Sequence, residues 1–167
     1  MKNDLALEKI LQNTFIKILI NDFPDENLEL TGGAIIDILD GRKPKDWDFK
    51  SLIYSQIVKQ FDFLYETEFS ISYCYKGEII QFLKDRELPF DFTISNAIFN
   101  LKKKALTNYD GECHDKRHLR PNAFTKEASI NALRRIPHWQ NKGYSINKHT
   151  YLSLLSIIIP DKKLKPS

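Results

Sequence analysis

The sequence has little with which to build disulfides, membrane spans or export. Cys74 and Cys113 are its only cysteines in 167 residues. Two do not make a disulfide framework, so a reducing, cytoplasmic setting is expected. The longest apolar run, near Ile157 to Ile159, is far too short to cross a bilayer, and no membrane partner is expected. The opening "MKNDLALEKI" has no hydrophobic leader core. No repeat or low-complexity segment breaks the chain. Charge of one sign is scarce too: the net charge of +3 permits a polyanionic partner without demanding one. What is abundant is core material. Apolar residues make up 42% of the chain, with 11 Phe and 7 Tyr, enough for one domain and a small helical extension.

Periodicity places the elements. Leu7, Leu11, Phe15, Ile18 and Leu19 predict one amphipathic helix over 4–21, ended by the turn-rich "NDFPDEN". "LELT" (28–31) reads as a short strand, Gly32-Gly33 opens the helical "AIIDIL", "DGRKP" (40–44) is a loop and "DWDFK" (46–50) a strand. A helix is expected over 51–64 with Ser51 as N-cap. Residues 67–76 and 78–84 alternate about Gly77 and read as a β-hairpin. "LPFDFTI" (88–94) predicts a strand, 95–104 a helix, 106–122 mostly loop, and 125–136 and 147–158 two helices before a mobile tail. The fold expected is α+β: a small mixed β-sheet flanked by helices, residues 1–105, with a short helical extension over 106–167.

One stretch carries chemistry. In "LTGGAIIDILDGRKPKDWDFK" (30–50), strand alternation puts Asp46 and Asp48 on one face, with Cα atoms roughly 7 Å apart, and sends Trp47 and Phe49 to the other. Carboxylates so placed repel unless a cation intervenes. Hard oxygens suit Mg²⁺, which also takes phosphate oxygens from a substrate. Gly32 and Gly33 let backbone come close to an anion, and the following helix aims its first amides there. Each feature alone is common and has an ordinary explanation, a turn or a solvated acidic pair. Their order, strand, Gly-Gly, helix, loop and Asp-x-Asp strand, points to phosphoryl or nucleotidyl transfer.

On these residues the sequence resembles the head of the class II CCA-adding enzymes and bacterial poly(A) polymerases, in the polymerase-β-type nucleotidyltransferase superfamily. Gly32, Gly33, Asp37, Leu39, Gly41, Pro44, Asp46 and Asp48 fall on the head signature. "PFDFTISNAIFNL" matches a second motif through Asp91, Phe92, Thr93 and Ile94. "EASINALRRIPHWQ" matches the neck segment through Glu127, Leu133 and Arg134. The resemblance covers about 28–158. It implies that Asp46 and Asp48 hold Mg²⁺ and that Asp91 is a third catalytic acid. It also implies that Gly32, Gly33, Arg42, Lys45, Asn96 and Arg134 contact the nucleotide. An NTP, ATP or CTP, would be the donor, and an RNA 3′ end, tRNA included, or another hydroxyl group the weakly held acceptor. Asp91 as a capping or edge-strand residue, Arg42 and Lys45 as solvated loop cations and Arg134 as a surface arginine are the plain alternatives.

The sequence also departs from the pattern. Ile36 replaces an arginine of the signature, Pro89-Phe90 an arginine pair, and Ser95 an asparagine, with Asn96 one place late. Ala128 and Asn131 stand where the neck's base-reading Asp and Arg are expected, and Gln81 where a further glutamate often occurs. These departures oppose CCA-type base choice and keep open a second reading, a catalytically reduced module that binds nucleotide or protein. Elsewhere, Cys113, His114, Asp115 and His118 form an irregular candidate zinc set in a segment read as loop. Lys102 to Lys104 reads as a solvated helix end, or as a stretch that follows a nucleic-acid backbone.

Overall fold

The computed structural model describes residues 2–50, 56–84, 91–122 and 124–159. Two compact units emerge, one of Met1–Glu87 with Asn96–Tyr109, the other of Leu88–Ser95 with Asp110–Ser167. Among the described residues no helix is long and apolar enough to cross a membrane.

The first unit is built on a seven-stranded mixed sheet. Its strands are β1 (Glu29–Thr31), β2 (Trp47–Lys50), β3 (Asp62–Glu66), β4 (Ser70–Tyr75), β5 (Glu78–Leu83), β6 (Ile98–Asn100) and β7 (Ala105–Thr107). They lie in the order β3-β4-β5-β2-β1-β6-β7. Only β2 and β5 pair in parallel; every other neighbouring pair is antiparallel. Helices α1 (Asn3–Gln12), α2 (Thr14–Asp22) and α3 (Gly33–Leu39) complete the unit.

The alternation expected of 46–50 is present. Trp47 and Phe49 are buried, whereas Asp46 and Asp48 are half-buried. Trp47 meets Phe15 of α2 with ring centroids 4.7 Å apart, and Phe49 meets Phe82 of β5 at 6.1 Å. Phe61, Tyr73, Tyr75 and Phe23 extend this aromatic core in tilted and edge-on contacts. Such pairs contribute roughly 0.5–1.5 kcal/mol each beyond area burial. The 70–83 hairpin also forms as expected, with Gly77 at φ 80° in its turn.

Several elements differ from the sequence reading. The helix over 4–21 is two helices. Asn13 takes an extended backbone, and its side-chain oxygen accepts from the amides of Phe15 and Ile16 at 3.0 and 3.1 Å. An asparagine with such a cap on offer leaves the helix readily. The helix over 51–64 is not found in its described part: Gln56–Gln60 is a 3-10 turn and 62–66 is β3. Ser51 lies outside the described residues. The strand over 88–94 gives way at Asp91 to a bend and a 3-10 turn, Thr93–Asn96, with 88–90 outside the described residues. The helix over 95–104 is the end of the 3-10 turn, strand β6 and the turn that leads into β7. Its apolar residues suit either period, and pairing of Phe99 with Leu30 decides for β6. Lys102 to Lys104 are therefore an exposed turn, closed by the Lys103 amide donating to Asn100 Oδ1 at 2.9 Å. The tail from 160 lies outside the described residues.

The second unit holds α4 (Gly111–Lys116), α5 (Lys126–Asn141) and α6 (Lys148–Ile158). A helix, α4, replaces part of the loop expected over 106–122, because Asp110 caps it by accepting from the Cys113 amide at 3.0 Å. Beyond the expected end at 136, α5 runs on through Pro137 to Asn141. The proline costs a backbone bond, and burial of Trp139, 1% exposed, offsets it. Gly143 at φ 88° then ends the helix, its amide bonding Gln140 and that of Tyr144 bonding Trp139.

Candidate active site

β1 and β2 run antiparallel, with Leu30 opposite Phe49. The end of β1 therefore lies beside the start of β2. Gly32, next after β1, comes to the same sheet end as Asp46 and Asp48. Thr31 ties the two strands further, its hydroxyl donating to the Asp48 carbonyl oxygen at 3.2 Å. Gly32 has φ 62° and ψ −126°, a backbone state that side chains other than glycine's scarcely tolerate. It is held there as its amide donates to Ala97 O at 3.2 Å. The expected turn is thus present at the expected place. Its helix, α3, has only seven residues, so the glycine backbone is the feature that matters.

The loop between α3 and β2 is braced from inside. Arg42 donates through Nε to Asp37 Oδ1 at 3.0 Å and through Nη2 to Asp40 Oδ2 at 2.7 Å, and its amide bonds Asp37 O at 2.7 Å. Asp37 is 8% exposed. The pair explains physically why an acid stands in the helix four residues before the glycine turn at Gly41. Arg42 acts as a strut for the segment that delivers Asp46. Lys43 pairs with Glu78 Oε1 at 3.1 Å, and Glu78 Oε2 accepts from the Trp47 indole at 3.3 Å. Lys45 is exposed. Ile36, in the place of an expected arginine, is fully buried, so that position serves the core.

Asp48 on β2 and Asp46, the residue just before that strand, supply hard oxygens. Among the described residues, no group of three or more His, Cys, Asp and Glu is placed to hold a metal ion. Two carboxylates suit an open Mg²⁺ site, completed by water and substrate phosphate, and do not suit a closed protein cage. The register sets Gln81 of β5 beside Asp48. Sequence reasoning noted Gln81 only as a departure; its neighbour across the strands was not legible without the sheet order.

The other expected residues are placed as follows. Asn96 is half-buried in the first unit. Asp91 and Arg134 belong to the second unit, and Arg134 is exposed on α5. The carboxylate of Asp91 is heavily used. Its Oδ1 accepts from the Phe92 amide at 2.8 Å and the Ser95 hydroxyl at 2.7 Å; Oδ2 accepts from the Trp139 indole at 3.0 Å and Arg135 Nε at 3.4 Å. Arg135 and Trp139, the partners that fix Asp91 to α5, were missed from sequence, although both sit within the matched neck segment. In the same unit Thr93 donates to Asp110 and, at 3.8 Å, to the Cys113 thiol. Burial, followed by hydrogen bonding to Asp110, pushes the Cys113 thiol up. His114 is also buried, and Asp115 and His118 join no metal-holding group with them.

Neither family models nor curated proteins match the sequence. Solved structures do match the chain. Its fold is that of the CCA-adding enzymes. A CCA-adding enzyme complexed with CTP superposes with a TM-score of 0.66 at 19% identity, over 92% of this chain and 45% of that one. The Thermotoga maritima CCA-adding enzyme complexed with tRNA gives 0.65 at 18%, over 92% and 44%. A tRNA nucleotidyltransferase with a primer tRNA and an incoming ATP analog gives 0.61 at 16%, over 86% and 49%. The chain spans less than half the length of these proteins. The likeness establishes a nucleotidyltransferase-type fold built on a mixed sheet.

Proposed function

We propose that this protein transfers an NMP from an NTP to a hydroxyl acceptor, an RNA 3′ end or another substrate, with Mg²⁺ as cofactor, in the cytoplasm. One observation carries the reading. The strained Gly32 turn and the Asp46–Asp48 pair share one end of two adjacent strands, locked by the Thr31 hydroxyl on the Asp48 carbonyl. Asp46 and Asp48 hold the metal. When bound, Mg²⁺ supplies the positive charge that draws in the triphosphate and eases loss of pyrophosphate. Gly32 and Gly33 admit the phosphates against the backbone, and Lys45 adds a cation at the rim. Arg42 supports the site from within, through Asp37 and Asp40. Asn96 and Arg134 are the nucleoside contacts that the resemblance offers, and Asp91 is assigned to positioning, through its four hydrogen bonds. ATP and CTP are the donors of choice, being the nucleotides bound in the similar structures.

Gln81 beside Asp48 favours the second reading, a catalytically reduced module that binds nucleotide. One experiment separates the two. The protein is incubated with Mg²⁺, each α-labelled NTP in turn and total RNA, and nucleotide binding is followed in parallel by thermal shift. Transferred label that vanishes in Asp46→Asn/Asp48→Asn supports the enzyme. A Mg²⁺-dependent thermal shift without label transfer supports the binding module. Neither transfer nor shift refutes both.

A further inference from the structure

The Asp pair has two flanks. On one, β1 leads into the Gly32 turn; on the other lie β5, β4 and β3 in succession. Register places Asp48 beside Gln81, Gln81 beside Ser72 and Ser72 beside Tyr65, so these four side chains share one face of the sheet. Tyr65 reaches this face through an irregularity. Phe63 pairs with Tyr73, and the register then shifts, so that Tyr65 and not Leu64 opposes Ser72. Bulges of this kind re-aim side chains and are frequent beside active sites. Gln81 Nε2 donates to the Tyr65 hydroxyl at 3.2 Å. That bond bridges over Ser72, whose hydroxyl is fully buried and has no hydrogen-bond partner. Tyr65 itself is 47% exposed on a strand whose residues are all exposed. The result is a polar strip spanning three strand spacings, about 14 Å, from a carboxylate to an open aromatic ring.

In-line displacement sets attacking and leaving oxygens on opposite sides of phosphorus. If the triphosphate lies toward the Gly32 turn, the attacking hydroxyl comes from the strip. We propose that this strip seats the acceptor, as the terminal nucleoside of a single-stranded nucleic acid. Its base stacks on Tyr65, and Gln81 meets its polar edge or sugar. The inference rests on the nucleotidyltransferase reading and adds the acceptor's chemistry and place. An exposed ring with an amide and hydroxyls beside it matches a base with its ribose; a protein hydroxyl would have no use for the ring.

The test uses the full chain, Mg²⁺ and a fluorescein-labelled single-stranded octaribonucleotide with a free 3′ hydroxyl, read by anisotropy at low salt. Tyr65 is exposed, so its substitution leaves the core intact. Tyr65→Ala is expected to weaken oligonucleotide binding by roughly 5- to 150-fold, the range for losing one base–aromatic stack. Tyr65→Phe keeps the ring and should bind close to the parent, and Gln81→Ala should bind less well than Tyr65→Phe. Thermal shifts with Mg²⁺ and NTP should be the same in both Tyr65 variants as in the parent. Oligonucleotide binding that ignores Tyr65, or is absent from the parent while the Asp-dependent NTP shift persists, overturns the strip alone. So does loss of the NTP shift in Tyr65→Ala, which would make the strip the donor's seat. Loss of any Asp46- and Asp48-dependent NTP shift in the parent overturns the underlying function instead.

Discussion

Replacing Asp91 by asparagine separates a structural acid from a metal-binding one. Asparagine keeps one carbonyl oxygen, which can still accept from the Phe92 amide and Ser95 hydroxyl, now 2.8 and 2.7 Å from Oδ1. The other oxygen becomes an NH₂ group facing two donors, the Trp139 indole at 3.0 Å and Arg135 Nε at 3.4 Å. Trp139 is 1% exposed, so its N–H has no water to turn to, and an orphaned buried donor costs about 1–3 kcal/mol. Arg135 is half exposed, and its pair with Asp91 adds less than about 1 kcal/mol after solvent screening. The sum is about 1–4 kcal/mol. At about 2–4 °C per kcal/mol for a chain of this size, Tm should fall by roughly 2–16 °C. A calorimetric melt with near-ultraviolet circular dichroism of the tryptophans reads this directly. Trp139→Phe should give a fall of similar direction, and Asp46→Asn/Asp48→Asn should not. Mg²⁺ with NTP should still raise the Tm of Asp91→Asn. A variant that melts like the parent and has lost that rise would show Asp91 to be a metal or nucleotide ligand, and the anchoring argument would fail.

Other positions give simpler expectations. Gly32→Ala should destabilise by about 1–3 kcal/mol, because φ 62° with ψ −126° admits no Cβ cheaply, while Gly33→Ala, at the first helical residue, should not; denaturant midpoints compare them. Burial opposes the Asp110 carboxylate, but bonds from Thr93 and the Cys113 amide outweigh it and hold its pKa below the ordinary value. A depressed carboxylate contributes stability above its unfolded pKa, about 3.9, and loses it as pH falls through the folded value. Asp110→Asn, which retains an N-cap, should therefore narrow the stability gap between pH 6 and pH 3 in urea titrations. Cys113, 2% exposed with its thiol pushed up, should resist iodoacetamide at neutral pH in the native protein, whereas half-buried Cys74 is alkylated first; peptide mapping by mass spectrometry decides it.

What could be read from the chain followed from how local the information was. The Asp46–Asp48 face was legible because strand alternation and two flanking aromatics are written in five consecutive residues. The Gly32 turn was legible because few other contexts require two glycines between a strand and a helix. Phe99 was misplaced because Ala97, Ile98, Phe99 and Leu101 suit a helix and a strand equally. Its pairing with Leu30 lies almost seventy residues away in sequence, and no local period reports it. Asn13 was read as one more helical residue, although its side chain caps α2. Arg42 was read as a nucleotide contact or a solvated loop cation, and only the coordinates show its guanidinium bonded to Asp37 and Asp40. The strip from Gln81 to Tyr65 depends on sheet order and on one register shift, neither of which a single sequence encodes visibly.

That use of Arg42 has a chemical consequence for the proposed site. A triphosphate brings three to four negative charges, and the motif offers few cations to meet them. Ile36 lies in the core, Arg42 is held by two aspartates and Lys43 by Glu78, while Lys45 is exposed at the loop's end. Placing that triphosphate beside Asp46 and Asp48 without a metal would add repulsion to a site already acidic. The Gly32 amide is already given to Ala97 O, so in the proposed site neutralisation would fall mainly to the divalent ion. An ion held at close range by carboxylate and phosphate together is less exposed to screening than a surface lysine. Nucleotide affinity should accordingly depend steeply on Mg²⁺ and only shallowly on monovalent salt. A site that relied on arginine and lysine side chains would show the opposite pattern.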